Sequence, residues 1–176
     1  MNYFEFYKLP VSFNLDEPKV KAKFYELSKK YHPDFHAGQS EEKQQEVLEL
    51  STRNNKAYQV LANKQKRVEY ILECFGIVNE GEKYQLPQEF LMEMMEVNEA
   101  LMELELAANP GEIENVKNRV LQIGSGLDRE LETLTVKFDA EAEDYRKQTL
   151  LQIKDIWYRK KYLLRIKDSL NRFASR

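Results

Sequence analysis

One cysteine, two histidines, a single tryptophan and no long apolar run set the first limits on this chain. One Cys leaves no internal disulfide framework and no cysteine-rich zinc site. No stretch approaches the ~20 consecutive apolar residues that a transmembrane helix needs. The opening Met1-Asn2-Tyr3-Phe4-Glu5-Phe6 has neither a basic n-region nor an Arg-rich amphipathic lead. There is no Gly-rich phosphate loop, and no His/Cys or Ser/His/Asp constellation has a recognisable setting. Basic excess is missing too: 27 Lys plus Arg face 30 Asp plus Glu, which gives nucleic acid no global electrostatic hold. The expectation is a cytoplasmic protein that is not an enzyme, holds no cofactor or metal, and has no membrane or nucleic-acid partner. At 176 residues it can bury a real core, as one domain or two small ones.

What the chain does have is helical periodicity from end to end. Val20, Phe24, Leu27 and Tyr31 recur at spacings of four, three and four, one stripe of an amphipathic helix. Asp16 stands at its N-cap, Pro18 in its first turn, and Pro33 ends it. Phe35 to Ser40 reads as a loop, with Ser40 capping a second helix that turns Val47, Leu50, Asn54, Tyr58 and Leu61 toward the first. After a break at Asn63-Lys64, a short helix runs through Val68, Ile71, Leu72 and Phe75, and Gly76 suits its C′ position. Val78 to Leu86 lacks periodicity and reads as a linker. Pro87 opens a second unit, whose first helix runs to about Ala108 before Asn109-Pro110-Gly111. A middle helix starts near Glu112, and a last one spans about Glu141 to Phe173. Gly124-Ser125-Gly126 sits inside the middle helix, where each Gly costs about 1 kcal/mol relative to Ala, which leaves a continuous helix, a kink and a local break all open. The fold class is all-α: a small four-helix unit followed by a C-terminal three-helix bundle.

Charge is unevenly placed. Glu80 to Glu114 carries ten Glu against one Lys, while Tyr145 to Arg176 carries ten Lys plus Arg against two Asp. Opposed blocks suit helices that attract one another in one bundle, or faces kept for differently charged partners. The basic block is interleaved with Tyr158, Tyr162 and Phe173, which admits RNA stacking; pairing with the acidic helix is the preferred reading.

Two local patterns stand out. His32-Pro33-Asp34 lies between two antiparallel amphipathic helices, and Lys19, Lys23 and Lys30 fall within about 40° of one another beside the first apolar stripe. A plain helix stop is the alternative for the tripeptide, and a solvated face is the alternative for the lysines, with Glu26 pairing to Lys30 at i,i+4. On the helix after Pro87, Phe90, Met94, Val97, Leu101 and Leu104 form a core stripe. The opposite side carries Met92, Met95, Glu96, Glu99 and Glu103, with Leu91 and Met102 on its shoulder. Apolar side chains ringed by glutamate on an outer helix face mark a binding surface; burial on both sides is the alternative. His32 and His36 at i,i+4 do not read as a metal site, because Pro33 interrupts the helix and no third ligand is near. Cys74 reads as a buried small hydrophobe.

Tyr31-His32-Pro33-Asp34 between two helices resembles the J-domain of DnaJ-type co-chaperones. Tyr3-Phe4, Leu9-Pro10, Phe24, Leu27, Asn55-Lys56-Ala57-Tyr58 and Arg67-Val68-Glu69-Tyr70-Ile71-Leu72 extend that likeness to the HscB-type J-proteins of iron–sulfur cluster assembly. Phe90-Leu91-Met92-Glu93-Met94-Met95-Glu96-Val97-Asn98-Glu99-Ala100-Leu101 carries it into the second unit. The resemblance implies a J-domain over residues 1–75, a linker over 76–86 and a scaffold-binding three-helix domain over 87–176. It implies a monomeric co-chaperone that brings an IscU-type iron–sulfur scaffold protein to a DnaK/HscA-class ATPase chaperone and stimulates that ATPase. His32, Pro33 and Asp34 would form the stimulating loop, with Lys19, Lys23 and Lys30 as the docking face. Leu91, Met92, Met95, Glu96, Glu99 and Glu103 would bind the scaffold, joined by an aromatic of the last helix, Trp157 over Tyr158. Phe35 departs from the family, in which a base commonly follows the Asp. A different client, or a helical RNA-binding or architectural protein, is the rival reading.

Overall fold

The computed structural model describes residues 1–79, 81–106 and 110–174. Among these residues every regular element is helical, and the chain divides into two compact units, Met1–Val78 and Asn79–Arg176.

The first unit is built by its caps. Helix α1, Tyr3–Tyr7, starts with a reciprocal capping box in which Asn2 accepts from the Glu5 amide and Glu5 accepts from the Asn2 amide. Helix α2, Glu17–Lys30, is capped by Asp16, which accepts from the Lys19 amide at 3.3 Å. It stops at Tyr31, after which Pro33–His36 form a single 3-10 turn. Ser40 caps α3, Glu41–Leu61, and Asn63 caps α4, Lys64–Cys74. The break at Asn63 is thus a helix start as well as an interruption. Gly76, with φ +64°, takes the left-handed position past the end of α4.

Helices α2 and α3 form an antiparallel hairpin whose apolar stripes meet: Val20, Leu27, Val47, Ala57 and Leu61 are buried, and Phe24 stacks on Tyr58 at 4.3 Å. Asn54 lies on the same stripe and is buried. Its amide donates to the Phe24 carbonyl (3.0 Å) and the Ser28 hydroxyl (2.9 Å), while the Tyr7 hydroxyl donates to its Oδ1 at 2.8 Å. Leaving such a buried group unpaired costs about 1–3 kcal/mol, so Asn54 fixes how α1, α2 and α3 fit together. Arg67, also buried, donates to the carbonyls of Leu61 and Phe13, each at 2.8 Å. It thereby anchors the segment before α2 and the α3–α4 turn.

The second unit contains α5, Gln88–Leu106, α6, Pro110–Ala140, and α7, Glu143–Ala174. Its core gathers Phe90, Met94, Val97, Leu101 and Leu104 of α5 with Val116, Val120 and Leu127 of α6 and Ile156, Leu163, Ile166 and Leu170 of α7. The expected helix stop lies partly outside the described residues, at Ala108 and Asn109; α6 starts at Pro110, two residues before the expected Glu112.

Three features complete the second unit. Helix α6 runs unbroken through Gly124-Ser125-Gly126. A Cβ built on Gly124 would lie 3.1 Å from Lys167 Nζ and 3.5 Å from Leu163 Cδ2, so this glycine lets α7 pass closely, whereas Gly126 faces open space. Among the described residues the acidic and basic blocks meet where Glu82, ahead of α5, pairs with Lys154 of α7; Glu96 of α5 pairs with Arg119 of α6, and Asp128 of α6 with Lys160 of α7. Finally, the segment before α5 is irregular in backbone but fastened to α7: Tyr84 stacks on Tyr158 at 4.4 Å and donates its hydroxyl to Asp155 at 2.7 Å.

Candidate functional site

Two surfaces carry the sequence-predicted residues, one in each unit. In the first unit, His32 leaves α2 in extended backbone and caps the turn behind it: the Asp34 amide donates to His32 Nδ1 at 3.3 Å. That bond gives the neutral ring its proton on Nε2. The Asp34 carboxylate stands 3.6 Å from the same nitrogen, and both side chains are open to solvent. Phe35, 67% exposed, meets the His32 ring edge-on at 5.7 Å.

The loop is held from behind by two residues that sequence reasoning did not single out for this role. His36 Nε2 donates to the Lys30 carbonyl at 2.9 Å, closing one of the open ends of α2, and Nδ1 faces Gln39 Oε1 at 3.1 Å. From the first turn of α3, the Gln44 amide reaches back to the carbonyls of Ala37 (3.1 Å) and Gln39 (2.8 Å). Glutamine at such a position is too common for its spacing alone to reveal this.

Lys19, Lys23 and Lys30 lie on α2 ahead of the loop, in unequal states. Lys19 is 73% exposed at its side chain and sits 3.3 Å from Asp16. Lys23 is largely covered and pairs with Glu26 at 2.8 Å. The Glu26–Lys30 pair of the solvated-face alternative is therefore not the one formed; Lys30 places its ammonium over the Tyr31 ring at 5.3 Å. The hydrogen bond from Lys23 holds the Glu26 carboxyl below its ordinary pKa, so this surface carries a carboxylate among its lysines.

In the second unit, α5 displays the opposite of its core stripe. Met92, Met95 and Met102 are 59%, 60% and 64% exposed, while Met94 is wholly buried. Leu91 borders the patch, also exposed, and Glu99 and Glu103 rim it with no ion pair among the described residues. Glu96 belongs to the same face but is engaged by Arg119. Trp157 lies on α7: its ring meets Tyr158 at 4.8 Å, edge-on, with Lys161 Nζ over it at 4.1 Å. Tyr158 is occupied in stacking on Tyr84.

Cys74 is exposed, contrary to the expectation of a buried hydrophobe, because α4 ends there and its last turn leaves the core. Desolvation still pushes its thiol pKa up, against a hydrogen bond with Tyr70 that pulls it down. His36 is committed to the loop, and no cluster of metal-binding side chains occurs among the described residues. No helix among the described residues is long and apolar enough to cross a membrane.

Comparison with known proteins matches this geometry. Residues 3–70 match the family described as the DnaJ domain, and residues 86–171 the family described as the HSCB C-terminal oligomerisation domain. A co-chaperone protein HscB homolog of Vibrio cholerae serotype O1 (strain M66-2) is 38% identical over 111 residues, covering 62% of this chain and 65% of that protein. The homolog of Vibrio vulnificus (strain YJ016) is 40% identical over 105 residues, covering 59% and 61%. These alignments span less than two thirds of the relatives' length. Among solved structures, chaperone HscB from Vibrio cholerae superposes with a TM-score of 0.60 at 27% identity, over 97% of this chain and 99% of that one. Human co-chaperone protein HscB shares the fold, with a TM-score of 0.72 at 24% identity, over 97% and 81%. With a J-domain carrying His32-Pro33-Asp34 followed by the C-terminal domain particular to HscB, the chain belongs to the HscB family of J-domain proteins.

Proposed function

We propose that this protein is a co-chaperone of iron–sulfur cluster assembly, binding an IscU-type scaffold protein and stimulating a DnaK/HscA-class ATPase chaperone. The observation that carries the reading is the displayed His32-Pro33-Asp34 turn, on the same chain as a methionine- and glutamate-rich face of α5 that its own core does not use. The chain would work in the cytoplasm as a monomer, and it supplies no chemistry of its own. Nucleotide hydrolysis belongs to the ATPase, and the iron–sulfur cluster to the scaffold.

In this reading the loop and the face divide the work. His32 presents Nε2–H outward, Pro33 fixes the turn, and Asp34 offers an acceptor, a rigid constellation for a partner's polar groups. Lys19 and Lys30 supply charge that mainly sets association rate and orientation. On α5, Leu91, Met92 and Met95 bury against the scaffold while Glu99 and Glu103 select a basic rim; Glu96 enters by giving up Arg119 or stays out. Trp157 is the least supported member, since its ring is engaged along α7. The test is separability. His32→Gln should lose ATPase stimulation and keep scaffold binding by calorimetry, whereas Met92→Ala/Met95→Ala should do the converse. Loss of both activities in either variant, with a falling melting temperature, would mean that these residues are structural.

A further inference from the structure

We propose that Met92, Met95 and Met102 form a sulfoxidation site, through which a hydroperoxide switches off partner docking at α5. The docking half rests on the function proposed above; the modification half stands on the structure of α5 itself. Three of the five methionines lie within about 80° of arc on the face away from the core, at 59%, 60% and 64% exposure. Met94 is on the same helix, one residue from Met95, at 0%. The helix thus carries its own protected control.

The chemistry follows from what surrounds each sulfur. A thioether lone pair attacks the terminal oxygen of the peroxide, the O–O bond breaks as the S–O bond forms, and the leaving hydroxide takes up a proton as water. Sulfur is oxidised by two electrons, and the peroxide is reduced by two. That attack needs an open approach, which Met94 lacks. Glu99 and Glu103 hold negative charge at the rim, which favours neutral hydrogen peroxide over anionic oxidants. The sole thiol does not compete well: Cys74 is exposed, yet its raised pKa keeps it as the thiol, the less reactive form.

Each sulfoxide turns a flexible apolar side chain into a polar one. On an outer face this leaves the fold nearly untouched, because these side chains already stand mostly in water. Docking is different, since a sulfoxide oxygen must shed its water to enter an apolar contact. Methionine sulfoxide reductase reverses the change with electrons from a dithiol, so the site is a switch and not a lesion.

The experiment treats the full chain with hydrogen peroxide, removes the oxidant, and maps sulfoxide by peptide mass spectrometry. Binding of an IscU-type scaffold protein is then measured before oxidation, after it, and after reductase with dithiothreitol. Expected are sulfoxide at Met92, Met95 and Met102 well before Met94, an unchanged melting temperature, a drop in affinity of tenfold or more, and recovery on reduction. Met92→Leu/Met95→Leu/Met102→Leu removes the sulfur, so whatever affinity the untreated variant has, peroxide treatment should leave that value unchanged. Equal oxidation of Met94, or full binding by the oxidised chain, would overturn the proposal. Failure of the untreated chain to bind would instead count against the docking reading, and the sulfoxide map would still decide whether the site is selective.

Discussion

Met92, Met95 and Met94 make a sharp comparison, because one helix puts the same side chain in opposite surroundings. Full burial of a methionine is worth about 1.5–3 kcal/mol. With some 60% of Met92 and Met95 still in water, each has roughly 1–2 kcal/mol left to gain from a partner. Truncating both to Ala forfeits most of that, so the scaffold dissociation constant should rise on the order of 10–100-fold. The fold should lose less than about 0.5 kcal/mol, as surface changes usually do. Met94→Ala reverses the pattern. A cavity replaces a side chain with no exposure, at about 2–5 kcal/mol, and the second unit should melt roughly 10 °C or more lower. Isothermal titration against the scaffold protein, beside thermal unfolding by circular dichroism, reads both quantities. If Met92→Ala/Met95→Ala lowered the melting temperature as Met94→Ala does and left binding alone, the outer face of α5 would be a structural surface.

Three further outcomes follow from other parts of the chain. His36→Ala removes the bond to the Lys30 carbonyl; at about 0.5–1.5 kcal/mol for one hydrogen bond, ATPase stimulation should weaken several-fold with scaffold binding unchanged, and equal stimulation would show that the loop holds itself. Gly126→Ala should raise the melting temperature of the second unit by a few degrees, since its Cβ meets open space and the helix gains up to about 1 kcal/mol, whereas Gly124→Leu should lower it by forcing Leu163 and Lys167 aside; thermal unfolding of the two variants checks this. Burial raises the hydroxyl pKa of both Tyr70 and Tyr84 to about 12. A raised folded pKa gives stability that is complete below the ordinary value of 10 and lost toward 12, so denaturant midpoints should fall across that window, and Tyr84→Phe should flatten the second unit's share of the fall.

Much of this fold is legible because the signals are local. Asp16, Ser40 and Pro33 declare helix ends by chemistry that acts over a few residues, and the α5 wheel separates Phe90, Met94 and Val97 from Met92 and Met95 without knowledge of the partners. What escapes the sequence is long-range or competitive. Arg67 finds the carbonyls of Phe13 and Leu61 only once the unit has closed, and Tyr84 meets Asp155 and Tyr158 across a wide sequence interval. Glu26 could pair at i,i+3 or i,i+4, and the structure selects Lys23 while Lys30 turns to Tyr31. Cys74 is exposed against its apolar spacing, because periodicity assigns a face but does not say where the covering core ends. Gly124 hides its setting for a related reason: helix propensity counts its cost, while Lys167 and Leu163, the side chains beside it, come from far along the chain. At the loop, the tripeptide is visible at once, but the supports from His36 and Gln44 are not.

The most direct test is single-turnover ATP hydrolysis by a DnaK/HscA-class chaperone, with the wild-type chain and His32→Gln measured side by side. The account predicts stimulation by wild type and none by His32→Gln, at unchanged melting temperature. Stimulation by neither, across chaperones of that class, would contradict it and leave His32-Pro33-Asp34 as a turn between two helices.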